Sequence, residues 1–398
     1  MKPPGVDFEY DPFSYEQDED PYPVYARMRE EAPAYYNPRR DFWALSRFED
    51  NLAAMIDHET YSSVNGTSLE FMDTPKPDSG LIIFMDPPRH TRYRNLVSKA
   101  FTPRSMAEIE PEVRRIACAH LDALADRKRF DLVGGFTARL PMDVISALLG
   151  IPEADRREVQ RKSNAMLHRE PGNPLPTPEA IASSRDLMDY IARLISERRK
   201  SPGDDLITRL TEVEVADEHG ELARLGDDDI RMFFVLLATA GNETVMKLLA
   251  TALHELWRHP DQRRVLTSEP RWIANAVEET LRFDPPSQYQ GRVTTRDVSL
   301  HGATLPKGAR VALINGASGR DQRKFANASA YDVRRKIDLH LGFGHGRHVC
   351  LGAHLARMES RIGLAEFLRR YPSYEVVSTE RMHSSNVRGF KRVVVEVG

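Results

Sequence analysis

Cysteine is almost absent: the 398 residues hold two, Cys118 and Cys350. Two thiols exclude a disulfide-dense secreted scaffold and fit a reducing compartment. Charge of one sign is missing as well, because 56 basic side chains face 59 acidic ones, for a formal net charge of −3. That balance excludes a chain held to nucleic acid by bulk positive charge, though local patches remain open. Long hydrophobic runs are missing too. The apolar stretch Met232–Gly241 is about half of the roughly 20 residues that cross a bilayer. The first 20 residues carry seven acids and no apolar core, so they read as neither signal peptide nor membrane anchor. Repeats and low-complexity tracts are not apparent. These absences predict a cytoplasmic protein with no membrane anchor and no nucleic-acid partner.

What is present reads mainly as helix. Apolar residues recur at helical spacing over Arg104–Arg127, Pro141–Leu149, Ile181–Arg199 and Trp272–Phe283. Strand-like runs are short: Phe42–Leu45, Val298–Leu300, Val311–Ile314 and Val393–Val397. The loop-like segment His168–Pro178 lies between helical patterns and reads as a connection, not a domain boundary. One helix-rich domain with small sheets, spanning residues 1–398, is the predicted organisation.

The longest predicted helix, Asp229–His259, starts on acidic residues and stops at His259-Pro260. Its apolar pattern is interrupted by Gly241, Asn242, Glu243 and Thr244. A buried carboxylate or hydroxyl costs several kcal/mol unless it is satisfied. Thr244 can bond back to the carbonyl of Ala240 and open the helix locally, and such bulges often mark functional sites. A polar turn facing solvent is the competing reading, disfavoured by the apolar flanks.

Leu341–Arg357 reads LGFGHGRHVCLGAHLAR. Beyond Cys350, Leu351, Leu355, Met358, Ile362 and Ala365 trace one helical face, which puts the thiol at a helix N-terminus. Unpaired N–H groups and the helix dipole there favour a thiolate. Gly344 and Gly346 permit tight turns, and Gly352 removes bulk beside the sulfur. Ligation of a metal or flat cofactor suits this pattern. Zinc held by His345, His348, Cys350 and His354, a nucleophilic cysteine and an inert buried thiol all remain open on residue chemistry alone.

Phe343-x-x-Gly346-x-His348-x-Cys350-x-Gly352 resembles the haem-binding signature of the cytochrome P-450 family, and four further motifs follow the family's order from about Asp20 to the C-terminus. The resemblance implies a mainly α fold with small β-sheets, with haem b between the long central helix and the cysteine-loop helix. It implies that Cys350 is the axial thiolate of the iron and that Phe343 and Gly344 pack beside it. His90, Arg94, Arg292 and His348 match propionate contacts. Glu279 and Arg282, three apart on one helix, match a structural ion pair whose third member is Arg335. Ala240, Gly241, Glu243 and Thr244 match the oxygen-activation turn, with Glu243 feeding protons inward and Thr244 holding water and dioxygen in hydrogen-bond reach. Several positions depart from the pattern: Glu243 is usually Asp, Val245 is usually a hydroxyl residue, and Gly319, Gln322 and Ala328 replace an Asn and two prolines.

Family membership implies a monooxygenase that inserts one atom of O₂ into a hydrophobic small molecule. Electrons would come from NAD(P)H through a separate ferredoxin reductase and ferredoxin. Peroxygenase or oxidative-coupling chemistry on the same scaffold, or a non-catalytic haem module, are the alternatives. Segments matching the family's variable regions offer Leu69, Phe71, Met72, Met166, Leu167 and Tyr289 as an apolar substrate pocket. Two segments, 86–104 and 320–347, each carry a net charge of +4 and predict a docking patch for an acidic ferredoxin.

Overall fold

The computed structural model describes all residues except 1–5, 73–79, 102, 168–176, 217–221 and 385. Helices dominate, and the central one runs from Asp227 to Arg258 in three parts. Asp227–Leu236 is α-helical, Leu237–Gly241 widens to a π-turn, and Asn242–Arg258 resumes the α-helix. Its start lies two residues earlier than the sequence pattern predicts. Asp229 Oδ2 accepts from the Gly226 N–H at 3.0 Å, which satisfies the entry to the helix before the apolar face begins.

The helix predicted over Arg104–Arg127 ends at Asp122. From Ala123 to Arg129 every side chain but Leu124 is exposed, so no buried face repays further helix, and the chain closes in tight turns. The other predicted helices are observed as Arg139–Leu148, Pro178–Lys200 and Ile273–Phe283. Most of the loop His168–Pro178 lies outside the described residues.

Five strands form the main sheet, in the order Ala34–Asn37, Phe42–Leu45, Arg310–Ile314, Tyr289–Thr294 and Tyr61–Ser62. Tyr289–Thr294 shows no β-type alternation, because Gln290, Gly291 and Arg292 interrupt it, and only the family resemblance of Arg292 points to a strand there. Its register sets Arg292 opposite Val311, which buries the guanidinium at 3% exposure. A second sheet pairs Phe390–Val397 with Tyr374–Arg381 and Arg129–Asp131. The helix Ala353–Arg370 lies inside the largest hydrophobic core. It packs against Pro103–Asp122, Asn242–Arg258 and Ile273–Phe283.

Between Gly319 and His345 the chain has no helix or strand. Such a stretch is held only if its backbone groups find other partners. Arg282 provides many of them. Its side chain and that of Glu279 are fully buried and joined by two bonds of 2.7 Å. The remaining Arg282 N–H groups donate to the carbonyls of Gly319, Ala328 and Ala330 at 2.5–2.9 Å. All five guanidinium N–H groups are thus used, a count that lysine cannot match. Arg335 joins from the irregular stretch, 3.2 Å from Glu279, and also holds the carbonyls of Ala326, Asn327 and Ala330. Gly319, a departure from the family pattern, has a reason here. A Cβ on this backbone would lie 1.8 Å from the Arg282 carbonyl oxygen.

Arg282→Leu should destabilise the fold by about 3–5 kcal/mol, because it strips a buried ion pair of one partner and frees three carbonyls. Thermal unfolding of the purified protein measures this. Arg282→Lys should fall between the variant and the parent.

Candidate active site

A cavity of about 320 Å³ lies between the central helix and the cysteine loop. Ala240, Gly241, Thr244 and Val245 line one wall; Phe343, His348, Cys350 and Gly352 line the other. The helix widens where the sequence predicts an opening. Thr244 Oγ1 donates to the Ala240 carbonyl at 2.8 Å, next to the π-turn. Small residues let this turn approach its neighbours: a Cβ at Gly241 would sit 2.9 Å from Ile145 Cδ1.

The cysteine loop is shaped by its own backbone. Cys350 N–H donates to the Phe343 carbonyl at 2.9 Å, closing the loop between them, and the thiol faces the cavity. Gly346 sits at φ +68°, and a Cβ there would lie 2.6 Å from the Met55 carbonyl oxygen. Phe343 is gripped by residues that the sequence analysis did not single out. Arg357 lies 4.6 Å over its ring, and Glu278 binds both Arg357 and His340 at 2.7–2.9 Å. Burial would raise the Glu278 carboxyl, but hydrogen bonds from His340 and Arg357 win and hold it down at about 2. The signal available in sequence was weak, since Glu278 merely precedes the Glu279 of the ion-pair motif.

Cys350 is exposed to the cavity and sits just ahead of the helix Ala353–Arg370, whose N-cap is Gly352. The sequence reading favours a thiolate there. In the folded protein desolvation pushes the thiol up, against the Gly352 N–H, Arg94 and Arg357, which pull it down. The short reach of a helix terminus does not outweigh burial. A coordinating metal deprotonates a thiol outright, so this balance does not oppose ligation.

The polar end of the cavity has donors without acceptors. His90 is buried, and neither ring nitrogen has a hydrogen-bond partner. His348 Nε2 is equally unpartnered, and the two rings lie 4.3 Å apart. Burial, with Arg94 and Arg347 nearby, lowers His90 to about 4. Burial, with Arg292, His90 and Arg94, lowers His348 to about 2. Arg292 and Arg94 are both weakened by burial, and both line the same cavity. Arg292 already donates to the Gly291 carbonyl and to Gln290 Oε1, but the two histidines leave buried ring nitrogens open, and these four side chains from three separate elements fit a ligand that brings its own anionic groups. No Cβ at Gly352 would meet a protein atom within 4 Å, so the wall beside the sulfur stays flat. These are the demands of an iron porphyrin with two carboxylates.

Not every predicted site residue meets at the cavity. Gly344 turns beside Gln290 but does not line it. Tyr289 lines it, whereas Leu69 and Met72 pack into an N-terminal cluster with Tyr10 and Tyr25. Met166 is half-buried and away from the lining, and the Phe71 and Leu167 side chains lie outside the described residues. Glu243 does not line the cavity and instead pairs with Lys247 at 2.8 Å. The lining is instead dominated by Ile82, Phe101, Ile145, Phe233, Leu237 and Leu248, residues that look like ordinary core in sequence.

The predicted basic patch is mostly spent on internal pairs. Arg323 binds Glu30 and Asp321, Lys324 binds Asp338, and Arg334 binds Glu269. Arg320 stacks on Tyr22 and Phe283, and Arg335 belongs to the Glu279 knot. The count of +4 already includes Asp321 and Asp338, but it does not see Glu30, Glu269 and Glu279, which lie outside the segment.

Cavity and loop fit a haem-thiolate oxidoreductase with haem b as cofactor, in which Cys350 would supply the thiolate and His90, Arg94, Arg292 and His348 would meet the anionic groups. A cytochrome P-450 family model matches residues 32–390, and the chain belongs to that family of monooxygenases. Cytochrome P-450 123 of Mycobacterium tuberculosis is 42% identical over 392 residues, covering 97% of this chain and 96% of that protein. Cytochrome P-450 130 of the same organism is 36% identical over 368 residues, 90% of each. The crystal structure of CYP109E1 from Bacillus megaterium in complex with corticosterone superposes with a TM-score of 0.87. It shares 30% identity and covers 96% of this chain and 99% of that one. Among the described residues no helix is long and apolar enough to cross a membrane.

One acid at the cavity was missed by sequence reading. Glu359, nine residues past Cys350, is 1% exposed, lines the cavity, and its Oε2 has no hydrogen-bond partner. Burial alone pushes its carboxyl up to about 8. The folded protein therefore binds this proton more tightly than the unfolded chain does. Stability from this group is present below an ordinary carboxyl pKa and is lost as pH rises toward 8, at ~1.4 kcal/mol per pH unit. Glu359→Gln should remove that slope. Thermal midpoints from pH 5 to 8 should show the variant gaining steadily on the parent, and the gain should level off above that; parallel curves would contradict the neutral carboxyl.

Proposed function

We propose that the chain, acting as one unit over residues 1–398, inserts one atom of O₂ into an apolar small molecule. The observation that carries this reading is the shared cavity. The Cys350 thiol opens on one side, the Thr244 hydroxyl stands in a widened helical turn on the other, and apolar side chains fill the remainder. The haem iron, when bound, supplies the activation of dioxygen. Arg94, Arg292, His90 and His348 anchor the cofactor's carboxylates and satisfy their own buried donors. Phe343, fixed under Arg357, shields the sulfur from water. Thr244 already spends its own proton on Ala240, which leaves its oxygen lone pairs free to hold a water. Glu243 lies next to it in the chain and supplies protons to that point.

The lining from Ile82 to Leu281 supports an apolar substrate, and CYP109E1 crystallised with corticosterone is a relative with such a ligand. Electrons from NAD(P)H arrive through a ferredoxin reductase and an acidic ferredoxin in the cytoplasm. With most of the 320–347 cations paired internally, docking rests on exposed groups such as Arg92 and Arg347, the latter donating to Thr91 Oγ1 at 3.3 Å.

Reduced protein under carbon monoxide should show the red-shifted Soret band of a thiolate-ligated haem. Cys350→His should lose that band, and Cys118→Ser should keep it. Retention of the band in Cys350→His would rule out this thiolate. Thr244→Ala should still bind haem and consume reductant with surrogate redox partners, but release much of it as hydrogen peroxide. An unchanged yield of product per reductant would remove Thr244 from proton delivery.

A further inference from the structure

Lys247 is a buried cation on the central helix that neither the motif nor the cavity accounts for. Its side chain has 0% exposure, yet its ammonium reaches two acceptors on two different elements. One is Glu243 Oε1, four residues earlier on the same helix, at 2.8 Å. The other is the carbonyl of Val387, 140 residues away, at 3.0 Å. A buried ammonium without such acceptors costs several kcal/mol, so both bonds are strongly held.

Val387 belongs to a stretch that faces the cavity. Its neighbour Asn386 lines the cavity, and so does Ser287, which bridges to Val387. Gln288 N–H donates to the Asn386 carbonyl at 2.8 Å, and Arg388 N–H to that of Pro286 at 2.7 Å. Gly389 packs directly on the lysine stem, where a Cβ would lie 2.5 Å from Lys247 Cγ. A molecule filling the cavity therefore presses on a segment whose backbone is bonded to the same ammonium that restrains Glu243.

We propose that Lys247 is a positioning residue that holds the Glu243 carboxylate away from the cavity and releases it when substrate shifts the Asn386–Gly389 stretch. Proton supply is thereby tied to an occupied cavity. The inference rests on the reading of Glu243 as the proton source. It assigns the regulation of that source to a salt bridge within the helix and a single carbonyl contact. No bond other than hydrogen bonds is made or broken. Linkage requires the effect to be reciprocal: loss of the Glu243 charge must loosen the Asn386–Gly389 stretch as surely as movement of the stretch frees Glu243.

Two measurements on the holoprotein test this. First, reductant consumption and peroxide release are followed with surrogate redox partners and no substrate. Lys247→Met should raise both about fivefold or more, the lower end of ordinary coupling between sites, and Lys247→Arg should restore the parent rate. Second, amide hydrogen exchange is compared with and without 4-phenylimidazole, an apolar probe that fills the cavity. In the parent the probe should alter exchange at both 243–247 and 386–389. In Lys247→Met it should still bind, seen as its spectral shift, while exchange at 243–247 no longer responds. Glu243→Gln should speed exchange at 386–389 without any probe, which tests the link even if Lys247→Met does not fold. Unchanged substrate-free consumption together with unchanged exchange in these variants overturns the proposal. If exchange responds as stated but Glu243→Gln leaves coupling of reductant to product intact, the proton-source reading fails and the mechanical link stands.

Discussion

The buried guanidinium of Arg282 has five donors and finds an acceptor for each, two on Glu279 and three on backbone carbonyls. Those carbonyls belong to the irregular stretch that leads into the cysteine loop. Without regular secondary structure, that stretch depends on side chains to satisfy its backbone, and Arg335 completes the set. The ion pair is thus less a source of net stability than a means of fixing one path for the chain. The position of Phe343, and through it the aim of Cys350, follows from that path. Glu278, beside Glu279 on the same helix, extends the effect by binding the Arg357 and His340 that flank the Phe343 ring.

The opposite end of the cavity works by leaving interactions unmade. His90 and His348 have buried nitrogens with no partner, and burial, aided by the nearby arginines, lowers both rings. In a protein without a cofactor this would be a poor arrangement, since each unsatisfied group costs about 1–3 kcal/mol. An anionic cofactor turns the same cost into binding energy. The fold therefore stores part of its own stability in the group it binds.

The central helix serves three demands at once. It buries an apolar face, widens at Leu237–Gly241 to admit the cofactor and a hydroxyl, and carries a charged pair beside the opening. A straight α-helix would satisfy only the first. The back-bond from Thr244 to Ala240 and the close approach of Gly241 to Ile145 show how residue choice makes the distortion tolerable.

Several features were legible in the sequence because they are local. The helical face beyond Cys350, the glycines before it, the three-residue spacing of Glu279 and Arg282 and the interruption at Gly241–Thr244 are all set within one or two turns of chain. Short-range geometry determines them wherever the segment lies. The fold decided what depends on distant segments meeting. Lys247 became a bridge only because Val387 packs against it, and Glu359 became a neutral acid only because the cavity wall closed around it. Arg323 and Arg334, counted in sequence as part of a basic patch, found Glu30 and Glu269 across the fold. Burial and long-range pairing are properties of the packed chain, so the partners of a charge, unlike its spacing in a motif, are decided only when the tertiary structure forms.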